Sequence, residues 1–203
     1  MTGNLRWWVW GPVARAAVVA GLLGGSLSGC AGIIVGAGAT AGVAALEERS
    51  AKTIARDTTI ATKIRLNLIE ADEKLTLGVA VEVYESRVLM TGTVATEALR
   101  AQAIQLAWKV KEVKDVLNEI QVTKEGFIDV AKDALITTQL TTSLTFDRDV
   151  QAINYNIETV NGIVYLIGLA QNQQELDRVI ARAREIGGVQ RIISHMRVKK
   201  AGS

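Results

Sequence analysis

Two stretches of the chain place apolar residues four positions apart. Ile60, Ile64 and Leu68 form one series and Ile136, Leu140 and Leu144 the other, a spacing that predicts amphipathic helices over about 57–70 and 130–144. Each helix is followed by strict alternation, Val79-Val81-Val83 in the first stretch and Tyr155-Ile157-Thr159 in the second, which predicts strands with one buried face. Asn161-Gly162 then separates two apolar runs, and this dipeptide accepts the left-handed backbone of a two-residue hairpin turn. Glu85-Ser86-Arg87 holds the matching place in the first stretch. A second helix is marked by Leu99, Ala103, Leu106, Val110 and Val113, and again by Leu176, Val179, Ile180, Ala183 and Ile186. Closing strands are expected at about 116–123 and 191–199.

The two stretches are copies of each other at a constant offset of 76 residues, without gaps. Asp57 aligns with Asp133, Met90 and Gly92 with Leu166 and Gly168, and Ala107, Val110 and Val113 with Ala183, Ile186 and Val189. The predicted fold is therefore α+β: two tandem α-β-β-α-β domains, each a three-stranded mixed sheet with two helices on one face. The strand-helix-strand part implies a right-handed crossover. Gly92 and Gly168 hold equivalent strand positions, where a bulge or a close helix approach is expected to exclude a side chain.

The first 29 residues are a different object. They carry Arg6, Arg15 and no acid, and a short apolar run from Ala16 to Leu27 ends in Leu27-Ser28-Gly29-Cys30. That run is too short to span a ~30 Å hydrocarbon core. A charged start, a short apolar core and small residues before a cysteine resemble the lipobox of bacterial lipoproteins, which implies cleavage after residue 29 and acylation of Cys30. The alternative is an uncleaved membrane helix continuing to Leu46, with Cys30 as a small buried hydrophobe. Gly32, Gly36, Gly38 and Gly42 oppose it, since each weakens a helix by ~1 kcal/mol. The expected division is a signal peptide over 1–29, a lipidated Gly/Ala-rich tether over 30–56, and domains over 57–124 and 127–200. Ala31 after the cysteine, by resemblance to other lipoproteins, implies an outer-membrane destination facing the periplasm.

Charge narrows the partners. The chain has a formal charge of +2, and both excess cations lie in the first 29 residues, which leaves 21 Lys and Arg against 21 Asp and Glu in the remainder. A neutral body argues against a broad nucleic-acid surface. Cys30 is the single cysteine, so the folded part forms no intramolecular disulfide.

Reactive groups are sparse, and no cofactor is expected. The single histidine, His195, sits on an alternating strand and reads as structural rather than as a base. Asp147 and Asp149 flank Arg148 and invite a cation, but the run lacks the acidic density of a calcium loop, so solvated turn residues are the favoured reading. The Gly-rich tether has no preceding strand that would make it a phosphate cradle.

The strand pattern, Val88-Leu89-Met90-Thr91-Gly92-Thr93-Val94 with Val113-Lys114-Asp115-Val116, and Val164-Tyr165-Leu166-Ile167-Gly168-Leu169 with Gly188-Val189-Gln190-Arg191-Ile192, resembles the BON domain over about 57–199. With the lipobox, the chain is similar to the dual-BON lipoproteins of Gram-negative outer membranes. The resemblance implies a non-enzymatic envelope protein that binds anionic phospholipid through the first helix of its second domain and supports membrane integrity. The alternative is a structural or assembly partner of an outer-membrane protein complex.

The copies also differ. Leu135 replaces Thr59 beside the buried stripe, and with Phe127, Ile128, Ala131 and Lys132 it makes a candidate lipid or partner edge. The competing reading is that Phe127 and Ile128 staple the helix start to its own core. On the hairpin strand, Ile163, Tyr165, Ile167 and Leu169 are apolar where the first copy has Arg87, Leu89, Thr91 and Thr93. Such a face needs a cover. Tyr165, Ile167 and Leu169 are therefore expected at an interface with either the first domain or another chain.

Overall fold

A computed structural model describes residues 47–123 and 129–200. The first domain begins with α1 (Ala51–Ala71), capped by Ser50, whose hydroxyl accepts from the Thr53 N–H. A short α2 (Glu73–Gly78) leads into β1 (Val79–Tyr84), β2 (Arg87–Val94), α3 (Glu97–Trp108), β3 (Asp115–Asn118) and β4 (Gln121–Val122). The second domain comprises α4 (Val130–Thr145), a single 3-10 turn (Ala152–Asn154), β5 (Tyr155–Val160), β6 (Ile163–Ala170), α5 (Gln173–Glu185) and β7 (Arg191–Val198). In each sheet the hairpin is antiparallel and the returning strand runs parallel beside its second strand, giving the orders β1-β2-β3 and β5-β6-β7.

Three details depart from the periodic pattern. The Ser50 cap starts α1 about two and a half turns before Ile60, the first residue of the apolar stripe, and α2, too short for a period, carries one buried residue, Leu75. The last strand of the first domain is broken: the Asn118 side chain accepts the Ile120 N–H at 3.2 Å, while β3 and β4 keep one register on β2, Met90 opposite Asn118 and Thr93 opposite Gln121. What crowds Gly92 and Gly168 is neither a bulge nor either long helix. A Cβ there would lie 2.1 Å from the Gly78 carbonyl oxygen and 2.0 Å from that of Asn154, the last residues of the short helical turns that lead into β1 and β5.

Both hairpins turn through two left-handed residues, Glu85-Ser86 (φ 52° and 65°) and Asn161-Gly162 (φ 53° and 71°). The turn N–H groups point inward to an acid on the first helix. Asp57 accepts from Glu85 N at 2.7 Å and Ser86 N at 2.9 Å; Asp133 accepts from Asn161 N at 2.7 Å and Gly162 N at 2.8 Å. Both carboxylates are buried on the helical stripes, so each ties a helix to the hairpin across it.

Each domain has its own core between its helices and one sheet face, around Ile60, Ile64, Leu68 and Met90 in the first, and Ile136, Leu140, Leu144 and Leu166 in the second. A third cluster joins Tyr84 and Leu89 of the first domain to Val160, Ile163, Tyr165 and Ile167 of the second, with Leu117, Leu169 and Ile193 packed against it. The sheets thus meet through their helix-free faces, and the first domain is the cover. Burying side chains of this size contributes ~1.5–3 kcal/mol each. Leu89 and Thr91, on a face that looked mostly polar, are both about 1% exposed for the same reason.

The docking follows the repeat. Glu119 pairs with His195 at 2.8 Å, and these two residues occupy equivalent positions in the two copies. Gln121 holds Asn161 at 2.8 Å, while their counterparts Arg197 and Glu85 form an ion pair. Reciprocal pairing of this kind is the signature of a two-fold, self-complementary interface, here built within one chain.

Candidate functional site

Asp129 caps α4 by accepting the Lys132 N–H at 3.1 Å. Buried Ile136, Leu140 and Leu144, together with the Asp133 latch, fix its rotation. The outward face therefore shows Val130 and Leu135, 69% and 56% exposed, with Ala131 and Lys132 exposed beside them. Ala131 and Leu135 are four apart and Lys132 and Leu135 three apart, so they adjoin on the helix surface. From Val130 to Thr145 the one acid, Asp133, is turned inward, which leaves Lys132 as the helix's sole outward charge. Phe127, Ile128 and Cys30 lie outside the described residues.

The other candidates resolve into structural pairs. Tyr165 and Ile167 are 2% and 0% exposed between the sheets, with Leu169 packed beside them, and the Tyr165 hydroxyl meets the Gln121 side chain at 3.2 Å. His195 belongs to the interdomain pair with Glu119. Asp147 departs from the solvated-turn expectation, its side chain 6% exposed and bound by Arg182 at 3.2 Å, while Asp149, 68% exposed, fits it and takes Arg178 at 2.9 Å. A backbone hydrogen bond from Asp149 and the two arginines hold the Asp147 carboxyl below its ordinary range. Among the described residues no group of three or more His, Cys, Asp or Glu is placed to hold a metal, and no helix is long and apolar enough to cross a membrane.

Pattern reading passed over the acid latches. Their signal was present: an aspartate recurs at the repeat offset on the same face as Ile60 and Ile136, where a buried acid needs partners. It also passed over a pair of equivalent glutamates at the domain joint. Glu82 accepts from Asn156 Nδ2 at 2.7 Å and lies 3.5 Å from Arg65. Burial raises its pKa above the ordinary value, against Arg65. Burial, with the Glu82 charge added, pushes Glu158 up to about 7, again opposed by Arg65.

A carboxyl whose pKa is raised on folding favours the folded state while protonated, and that contribution is lost as pH rises from the unfolded value through about 7 for Glu158. Thermal melts should therefore fall between about pH 5 and pH 8, and Glu158→Gln should flatten the fall and be more stable at the upper end by roughly 1–2 kcal/mol, after allowance for partial exposure. An unchanged pH profile in the variant would exclude Glu158 as the source.

The BON domain family model matches residues 56–124 and 132–200, most of the chain and both structural repeats. The chain belongs to the BON-domain family. A protein of Anaplasma centrale described as an uncharacterized protein in the gshII 5' region is 42% identical over 60% of this chain and 82% of its own length. The outer membrane lipoprotein DolP of Haemophilus influenzae is 31% identical over 90% of this chain and 94% of its own length. The osmotically-inducible protein Y of Escherichia coli is 26% identical over 70% and 73% respectively. In the two BON domains of this chain the shared frame is the latched hairpin and its crossover helix. The outward faces of their first helices differ in charge: α1 carries Arg56, Lys63 and Arg65 beside exposed Leu66 and Ile69, whereas α4 shows Leu135 with Lys132 as its one outward charge.

Proposed function

We propose that this protein is a non-enzymatic component of the bacterial envelope, tethered to the outer membrane through an acylated Cys30, whose second BON domain rests on anionic phospholipid through α4 and so supports membrane integrity. The observation that carries this is the α4 surface, where exposed Leu135 adjoins Ala131 and Lys132 and no acid within the helix faces outward. An apolar side chain of leucine size contributes ~1.5–3 kcal/mol on burial, and a lysine near an anionic surface about 1 kcal/mol. That is weak by itself, and the anchor compensates by holding the domain at high local concentration. Phe127 and Ile128, just before the helix, would extend the apolar edge. The near end-to-end similarity to an outer membrane lipoprotein supports the placement.

The test is flotation of residues 47–203, which lack the anchor, with vesicles of anionic or neutral lipid. The fragment should float with anionic vesicles, and Leu135→Asp should weaken this by about tenfold or more while leaving the melting temperature nearly unchanged, because Leu135 lies off the buried stripe. A folded Leu135→Asp variant that still floats places the lipid contact elsewhere. A fragment that never floats favours the reading as a protein-assembly partner.

A further inference from the structure

At the hairpin end of the first domain lies a cleft of about 390 Å³ that the second domain completes. Four cations line it, Arg56 of α1, Arg87 of β2, Lys114 ahead of β3 and Arg197 of β7, with two acids, Glu85 and Asp115. The acids are committed. Glu85 pairs with Arg197, and Asp115 lies 3.7 Å from Arg87, whose guanidinium also donates to the His195 carbonyl at 3.0 Å. Arg56 and Lys114 make no ion pair among the described residues, and the Arg56 Nε is buried without a hydrogen-bond partner. An unmade bond on a buried guanidinium nitrogen is costly, and two adjacent uncompensated cations repel. The Lys114 backbone N–H donates to the Ser86 carbonyl at 2.9 Å, which fixes that residue beside the turn.

The repeat supplies an internal control. At the equivalent places in the second domain stand Lys132, Asn161, Ile163, Gln190 and Arg191, with Gln121 facing them from the first. Arg87 has become isoleucine, Lys114 glutamine, Asp115 an arginine, Thr53 an aspartate (Asp129), and the interdomain ion pair an amide pair, so four cations and two acids give way to two cations, Lys132 and Arg191, and one acid. The four-cation cleft with two cations in excess is thus a property of this end of the molecule and not a requirement of the fold.

We infer that this cleft binds a phosphate monoester. Two cations in excess of the acids match a dianion better than a carboxylate or a phosphodiester, each of which carries one charge. A guanidinium fork beside an ammonium group suits three equivalent phosphate oxygens, and Thr53, whose hydroxyl pairs with that of Ser50 at 3.0 Å, completes the lining. The volume admits the phosphate with a substituent of about glycerol size. The ester is either dissolved or presented by a lipid headgroup. This site is separate from α4, so its success or failure leaves the α4 reading untouched.

The experiment uses the full chain carried on neutral phosphatidylcholine vesicles and follows its thermal unfolding, since a ligand that binds the folded state raises the melting temperature with concentration. Dissolved glycerol 1-phosphate is added in one arm and phosphatidic acid in the bilayer in the other, with acetate and a phosphodiester as monoanion comparators. Saturable stabilisation by the monoester, weakened about tenfold or more in R56Q/K114Q and retained in K74Q, which removes an exposed lysine outside both the cleft and α4, is the expected result. Stabilisation by the dissolved ester identifies a soluble ligand; stabilisation by phosphatidic acid alone identifies a headgroup. If R56Q/K114Q is unfolded, K114E, which reverses a single exposed charge, replaces it. No stabilisation in either arm, equal stabilisation by the monoanions, or equal stabilisation of the charge variants overturns the proposal.

Discussion

Replacing Gly168 with valine should destabilise the protein by roughly 3–6 kcal/mol, enough to leave much of the chain unfolded at 37 °C. Two costs add. Gly168 sits at φ +153°, outside the range that residues with side chains adopt readily, and any Cβ would stand 2.0 Å from the Asn154 carbonyl oxygen. That oxygen belongs to backbone, which yields less easily than a side-chain tip. Gly168 pairs with Tyr155 at the start of β5 and with Met196 of β7, so moving it disturbs both neighbours. Even Gly168→Ala meets the same carbonyl and should lose most of that stability. A urea melt of Gly168→Ala within about 1 kcal/mol of wild type would refute the close approach.

Asp133→Ala should cost about 3–4 kcal/mol. The substitution leaves the N–H groups of Asn161 and Gly162 without their acceptor, and each orphaned buried donor costs ~1–3 kcal/mol. Asp133→Asn retains one acceptor oxygen and turns an NH₂ toward the other donor, so it should fall between wild type and alanine. Asp57→Ala should be at least as damaging, because Asp57 also receives Arg49 at 3.0 Å, and that guanidinium stacks over the Tyr84 ring 4.2 Å from its centroid. Hydrogen exchange at the hairpin turns gives a direct reading: the amides of Asn161 and Gly162 should lose protection first in Asp133→Ala. Protection unchanged from wild type would mean that the turn holds without the helix.

Much of the domain frame was legible in advance because its signals are local. Ile60-Ile64-Leu68 and Ile136-Leu140-Leu144 fall on one side of a helix whatever surrounds them, and Asn161-Gly162 tolerates its turn by its own backbone chemistry. Recurrence at a constant offset made the duplication plain. The first-domain turn was harder to read, since Glu85-Ser86 takes the same left-handed path without a glycine, helped by the Asp57 carboxylate.

The sequence by itself determined two α-β-β-α-β units and an apolar strand face on the second that required a cover. Only the tertiary structure decided what the cover is. The choice between the first domain and another chain rests on whether two sheet faces are complementary in shape, and no periodicity encodes that. Once Leu89 lies against Tyr165 and Ile167, the rigid sheets carry distant positions into contact: Glu119 to His195, Asn156 to Glu82, and Arg197 to Glu85 at the mouth of the cationic cleft. These pairs are separated by tens of residues along the chain, and their charges are unremarkable in isolation. Burial at the joint is what raises the Glu158 carboxyl to about 7, and Arg197, supplied from β7, is what completes the open cationic cleft at one hairpin end.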